Sequence, residues 1–257
     1  MPMQTTRHKV ACIIRWPLLL LFFFLCCKIA LLYHGTFLVQ HQNRQLADLK
    51  AIPSFNTQNP FHALSEINPD FAGWLTVDGT TVDLPVVLCK DNQWYLEHDF
   101  YGQPNRHGTL FLDSATNPNA NGNLIVYGHN MKDNTMFGEL DHFKDKKFFT
   151  QNGLVLWETE QDKTYYQIFA GLVLPGSSFS QNYLDLTRWA NVLSDSDSEK
   201  MLQQLHSRAS LWRNVQHRSG DKYLFLVTCD YTKTNGRWVL VAQSLSEEDT
   251  QRIQDAA

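Results

Sequence analysis

Two apolar runs near the C-terminus constrain this chain more than any other feature. Tyr223-Leu224-Phe225-Leu226-Val227-Thr228-Cys229-Asp230-Tyr231 is followed closely by Asn235-Gly236-Arg237-Trp238-Val239-Leu240-Val241-Ala242. Both are rich in β-branched and aromatic residues, and the connection from Asp230 to Gly236 ends in Asn-Gly. Such runs around a turn signal predict two strands joined by a loop. If the strands pair antiparallel, Cys229 at the end of the first faces Arg237 at the start of the second, at about 5 Å between Cα atoms. A thiol and a guanidinium at one sheet end offer a nucleophile and an anion stabiliser.

The same pattern recurs upstream. Ala72–Val77, Val82–Leu88, Gly108–Asp113, Asn123–Tyr127, Leu154–Glu158 and Tyr165–Leu174 read as further short strands, with Asp78-Gly79 as a turn. Pro85 points to an edge position or a bulge. About eight short strands predict a barrel or a sandwich, so the fold class is mainly β. Two helices interrupt the strands. Met136–Phe149 carries Phe137, Leu140 and Phe143 on one face, and Ser196-Asp197-Ser198-Glu199 reads as a capping box. After that box Met201, Leu202, Leu205, Ala209 and Trp212 continue an apolar stripe at helical spacing.

The N-terminus is of another kind. Trp16 to Cys27 is unbroken apolar sequence, Lys28 interrupts it, and Ile29 to Tyr33 resumes it. Trp16 to Val39 reaches the roughly 20 residues that a membrane span needs, provided that Lys28 snorkels. Arg7, Lys9 and Arg15 precede the run and favour a cytoplasmic N-terminus. No small-x-small cleavage site follows, so an uncleaved signal-anchor is expected. The expected organisation is residues 1–39 as cytoplasmic tip and anchor, 40–65 as a stalk with helical character, and 66–257 as the globular domain. Within the stalk, Gln40–Lys50 and His62–Ile67 read as helical, and Ile52-Pro53 to Asn59-Pro60 reads as loop.

A net charge of −4 gives no global pull toward nucleic acid. Of five cysteines, three lie at the N-terminal apolar segment, and only Cys89 and Cys229 remain beyond it, too few for a disulfide scaffold. Spacing alone leaves a Cys89–Cys229 bridge open, which would abolish a nucleophile at Cys229. A thiolate nucleophile needs activation, which a neighbouring imidazolium supplies. His129 directly follows a strand, as Cys229 does. Arg237 donates without losing its charge. No metal site is expected, because His98, His107 and His129 lack ligand-like spacing and no cysteine pair supports zinc; no cofactor is expected either. From the residues alone, a cysteine acyl-transfer enzyme, a purely hydrolytic cysteine endopeptidase and a non-catalytic surface β-barrel all remain open.

Beyond spacing, the motifs resemble a family. Leu226-Val227-Thr228-Cys229 with Arg237 downstream resembles the Leu-x-Thr-Cys motif of sortases, and Asn123-Leu124-Ile125-Val126-Tyr127-Gly128-His129-Asn130-Met131 resembles their histidine segment. Asn134-Thr135-Met136-Phe137-Gly138-Glu139-Leu140 and the helix ahead of the cysteine strand are similar to class B in particular. The resemblance spans roughly Asn68 to Ala242. It implies an eight-stranded sortase-type β-barrel with N-terminal helices and a helical insertion before the Cys-bearing strand. It also implies a cysteine transpeptidase of Gram-positive bacteria, membrane-tethered with residues 66–257 as an extracellular catalytic domain. Cys229 would be the nucleophile, His129 the acid and base, and Arg237 the oxyanion stabiliser. Tyr127, Thr228, Asn92, Tyr183 and Leu184 would bind a C-terminal sorting pentapeptide cleaved after Thr. Val227 stands where some relatives carry Ser. Implied partners are sorting-signal-bearing surface proteins or pilins, with a peptidoglycan precursor or a pilin lysine as amine acceptor.

Overall fold

The computed structural model describes residues 5–51, 61–118, 122–191 and 193–256. Contacts divide the chain into two units, Met1–Gln42 and Asn43–Ala257. Helix α1 (Thr5–Ala51) forms the described part of the first and, from Asn43 onward, the start of the second. In the first unit Trp16 and Leu18 through Leu25 are exposed large apolar residues. Its apolar stretch is long enough to cross a membrane, and an 18-residue window of it has no buried residue, unlike a core helix. Lys28, the one charge in that stretch, lies 5.5 Å from the centroid of the Phe24 ring.

The second unit is built on nine strands: β1 (Phe71–Val77), β2 (Asp83–Leu88), β3 (Leu110–Leu112), β4 (Leu124–Tyr127), β5 (Leu154–Glu158), β6 (Lys163–Pro175), β7 (Leu211–Trp212), β8 (Tyr223–Asp230) and β9 (Gly236–Ser244). Their order is β5-β1-β2-β3-β4-β8-β9-β6-β7, and a further β5–β6 pairing closes the ring. Eight strands make the barrel, and the two-residue β7 hangs on β6 outside it. Two pairings are parallel, β2 with β3 and β4 with β8. The strand count from sequence therefore holds for the barrel. Pro85 sits in an interior strand, not at a sheet edge, but β3 begins to pair only at Val86, and β1 bulges opposite between Phe71 and Gly73.

Strand β8 is buried on both faces along nearly its whole length, which is why its sequence is continuously apolar instead of alternating. Phe225, Val227, Val239 and Val241 pack with Met201 and Leu205 of α4 (Asp195–His206) and with Leu184, Leu186 and Trp189. A second cluster joins Leu46 of α1 and Leu64 of α2 (His62–Ile67) to Trp74, Val87, Tyr95 and Phe111. The segment read as a stalk thus packs onto the barrel at both described ends; residues 52–60, read as loop, lie outside the described residues. Lys50 is also in salt-bridge contact with the buried Glu158 of β5.

Two helices differ from the sequence pattern. Met136–Phe149 is not one helix. Asn134 and Met136 have positive φ, a 3₁₀ turn covers Gly138–Lys144, and α3 (Lys146–Gln151) starts anew with Asp145 accepting from the Phe148 N–H. In α4 the cap is Ser194, whose hydroxyl accepts from the Asp197 N–H at 3.2 Å and donates to the Asp197 carboxylate at 2.7 Å. That makes a reciprocal box two residues ahead of the expected one. The helix stops at His206, because Ser210 donates to the Gly171 carbonyl and turns the chain into β7. Trp212 reaches Phe169 edge-on from that strand.

Candidate active site

The hairpin of β8 and β9 sets the first pair. Its register places Cys229 opposite Arg237, with Thr228 opposite Trp238 and Asp230 opposite Gly236. This is the juxtaposition that antiparallel pairing of the two apolar runs predicts. Cys229 is a free, partly exposed thiol, and Cys89 is free and buried, its Sγ donating to Asp91 at 3.4 Å. The bridge that spacing left open is not formed.

The parallel pairing of β4 with β8 supplies the histidine. Tyr127 is level with Val227, and beyond it the two chains stay side by side. Gly128 N–H donates to the Val227 carbonyl at 3.2 Å, the Thr228 hydroxyl donates to the Gly128 carbonyl at 2.7 Å, and the Asn130 amide donates to the Cys229 carbonyl at 2.8 Å. The Tyr231 hydroxyl closes on the Asn130 carbonyl at 3.0 Å. Glycine is required at position 128, since a Cβ there would lie 2.4 Å from Leu110 Cδ2 and 2.7 Å from the Phe137 ring. His129 is thereby fixed at the mouth of the same cleft as Cys229 and Arg237.

His129 Nε2 lies 2.8 Å from the carbonyl oxygen of Leu96, in the 3₁₀ turn Trp94–Leu96. A carbonyl only accepts, so Nε2 carries hydrogen and Nδ1 is left to exchange a proton. Asp230, next to the cysteine, is buried and engaged elsewhere. It accepts from Thr232 N–H at 2.7 Å and Thr232 Oγ1 at 2.5 Å, with the Lys144 ammonium 3.5 Å away. Burial alone would raise its carboxyl, but those donors and that charge outweigh it and hold it below the usual carboxylate range. Arg237 anchors one nitrogen to Asn235 Oδ1 at 3.2 Å and to the Gly236 carbonyl at 3.0 Å. A guanidinium has five N–H donors on three nitrogens, so the other two nitrogens keep donors of their own.

The cleft holds about 240 Å³. Of the residues nominated from sequence for peptide binding, Asn92, Tyr127 and Thr228 line it. Each is also part of the framework. The Asn92 amide donates to buried Asp113 at 3.0 Å and its oxygen accepts from Ser114 N–H at 2.7 Å. Burial first, then the charge and hydrogen bond of Asp113, push the Tyr127 hydroxyl well above its ordinary value. It forms part of the cleft wall. The Thr228 hydroxyl is committed to Gly128. Leu184 is buried in the cluster with Met201 and Leu205, so it backs the wall instead of facing the cleft. Tyr183 is exposed and is not among the described residues lining the cleft. Val227, which carries no hydroxyl, is buried against the same cluster and lines the cleft floor.

Leu96 and Phe111 also line the cleft, and sequence reasoning assigned them no part in it. The docking of the Leu96 turn on His129 has no signal in local sequence. No group of three metal-ligating side chains occurs among the described residues. His98 stacks on Trp94 at 3.6 Å between ring centroids, and His107 pairs with Asp133 at 3.0 Å.

Comparison with known proteins agrees with this geometry. A sortase-domain family model matches residues 75–245. Sortase B of Listeria monocytogenes is 32% identical over 180 residues, which are 69% of this chain and 70% of that protein. The crystal structure of Clostridium perfringens sortase B superposes with a TM-score of 0.63 at 34% identity, covering 72% of this chain and 98% of that one. A Streptococcus pyogenes class B sortase involved in pilus biogenesis superposes with a TM-score of 0.63 at 27% identity, covering 72% of this chain and 97% of that one.

Proposed function

The chain belongs to the sortase family as a class B cysteine transpeptidase, and from that premise we propose that Cys229, His129 and Arg237 carry a transfer of surface proteins from a C-terminal sorting pentapeptide to an amine. The Cys229 thiolate attacks the carbonyl carbon of the pentapeptide Thr, forming the C–S bond. The developing oxyanion accepts from the free N–H groups of Arg237, which stabilise charge where it appears. His129 gives a proton from Nδ1 to the leaving amide nitrogen as the C–N bond breaks. The incoming amine then attacks the thioester, His129 takes its proton, and the thiolate leaves. Both half-reactions use one imidazole, which gives its Nδ1 proton in the first and takes one back in the second.

The observation that carries this proposal is the register: Cys229 opposite Arg237 across β8 and β9, with His129 delivered by β4 on the other side of β8. Two supports come from outside the cleft. The exposed apolar helix of the first unit suits a membrane anchor over residues 1–39, with Arg7, Lys9 and Arg15 on the cytoplasmic side and residues 66–257 outside. The relationship to a class B enzyme involved in pilus biogenesis makes a pilin lysine an acceptor to test beside a cell-wall precursor amine.

The test is a peptide-library cleavage assay with and without amines of both types, comparing wild type with Cys229→Ala. The expected outcome is an amine-dependent ligation product that vanishes in Cys229→Ala. Cleavage to the free acid alone, unchanged by any amine, would replace transpeptidation with hydrolysis. Turnover by Cys229→Ala at the wild-type rate would remove the nucleophile.

A further inference from the structure

The orientation of His129 rests on a backbone atom. We propose that the Leu96 carbonyl is the positioning group that sets the ring and tautomer of His129, and that Gly108 holds that carbonyl in place. The proposal depends on the acid–base role given to His129 above.

Among the described residues the His129 ring has one hydrogen bond, from Nε2 to Leu96 O at 2.8 Å. The nearest acidic neighbour of Cys229 along the chain, Asp230, is turned to Thr232 and Lys144, so no carboxylate from β8 takes the orienting part. A carbonyl acceptor has one advantage for a group that must both give and take a proton: it cannot itself be protonated. It therefore keeps hydrogen on Nε2 in either charge state of the ring, and all exchange is confined to Nδ1.

The turn that bears this carbonyl is braced from several sides. Asp91 Oδ1 accepts from the N–H groups of Gln93 and Trp94 at 2.9 and 3.0 Å, and the Tyr95 hydroxyl donates to Asp70 at 2.8 Å. Thr109 N–H donates to the Tyr95 carbonyl at 2.9 Å. Gly108 packs directly beneath. Its φ is +63°, and a Cβ there would stand 2.4 Å from the Tyr95 carbonyl oxygen and 2.8 Å from that of Leu96. Both obstacles are backbone, so they cannot swing aside as a side-chain tip would. His107, the preceding residue, is buried and joined to Asp133 at 3.0 Å, in the loop that follows His129. The segment under Leu96 and the loop carrying the histidine are thus one assembly, and a shift of the carbonyl changes the distance to the ring.

A matched pair of variants tests this. Gly102 has φ +73° and nothing within 4 Å of its Cβ position. Gly102→Ala therefore carries the strain of a positive φ without displacing anything, whereas Gly108→Ala carries the same strain and pushes both carbonyls. For Gly108→Ala kcat is expected to fall about 10²-fold with KM within roughly twofold, the loss typical of a reacting group displaced by about 1 Å. Gly102→Ala is expected to match wild type. Nitrogen-15 NMR of the histidine rings, which needs no substrate, supplies the second readout. Wild type and Gly102→Ala should show a His129 Nε2-bound proton with a through-hydrogen-bond coupling to the Leu96 carbonyl carbon, and Gly108→Ala should lose it. Turnover of Gly108→Ala equal to that of Gly102→Ala would overturn the proposal, as would a raised KM at constant kcat. If Gly108→Ala does not fold, the wild-type spectrum decides, and a proton on Nδ1 or no coupling to Leu96 overturns it. Retained activity in His129→Ala would instead sink the acid–base role, while the coupling seen in the wild-type spectrum would still stand.

Discussion

Replacing Thr228 by valine separates two roles that one residue was given. The side chain lines the cleft, as a peptide-binding group would, yet its hydroxyl donates to the Gly128 carbonyl at 2.7 Å and the residue is only 2% exposed. Valine keeps the branched shape and exchanges the hydroxyl for a methyl. The folded state loses that hydrogen bond and leaves a buried carbonyl without this donor, at a cost of about 1–3 kcal/mol. For a unit running from Asn43 to Ala257, each kcal/mol lowers Tm by roughly 2–4 °C, so the expected drop is about 2–12 °C. Calorimetry and urea unfolding should give it, and Thr228→Ser should recover most of it because the donor returns. Below the transition, KM for peptide should stay within about twofold of wild type, since no substrate bond is removed. A Thr228→Val protein that melts with wild type while its KM rises would refute the reasoning and assign the hydroxyl to the substrate.

Acid should unfold the barrel through two carboxylates. Asp230 is held low as described, and Glu158 is held low although burial raises it, because Lys163 at 2.8 Å and Lys50 outweigh that burial. Depressed folded values mean that the stabilisation is complete above the ordinary carboxylate range of about 4 and is lost as pH falls through the folded values. Urea midpoints should decline below about pH 4, and an unchanged slope in the Asp230→Asn, Glu158→Gln double variant would contradict this origin. Leu46→Ala should cost about 2–5 kcal/mol, and protein starting at residue 61 should melt below protein starting at residue 43; equal melting would show that the end of α1 does not belong to the barrel unit. Ser194→Ala should cost about 1 kcal/mol and Ser196→Ala much less in denaturant titrations, the reverse order placing the cap at Ser196.

What could be read from sequence follows the distance over which each interaction acts. Cys229 opposite Arg237 was legible because a short loop joins the two strands and pairing then fixes the register. His129 beside Cys229 was not legible from pattern, since no local rule pairs β4 with a strand so far away in parallel; only the family resemblance brought them together. The break of Met136–Phe149 was hidden because positive φ at Met136 has no side-chain signature of its own. The α4 stripe ran on through Ala209 and Trp212 because an apolar strand residue satisfies helical spacing by coincidence, although Trp212 buries its ring from β7. The cap expected at Ser196 gave way to Ser194, whose hydroxyl makes the reciprocal bond with Asp197. The family resemblance nominated Leu184 for the groove, but its burial against α4 is a tertiary matter that the motif does not encode.

The parallel ladder between β4 and β8 also sets the order in which the molecule becomes competent. Its partners stand 100 residues apart, as Gly128 and Thr228 do, and closing so long a loop must precede any gain from the contacts it brings. Strand β8 can meet β9 early, across five residues of turn from Tyr231 to Asn235. Until β4 docks, that hairpin presents an unassisted thiol with no imidazole beside it. On the proposed mechanism, reactivity at Cys229 is therefore a property of the completed barrel, and a chain caught short of closure holds its thiol in an idle state.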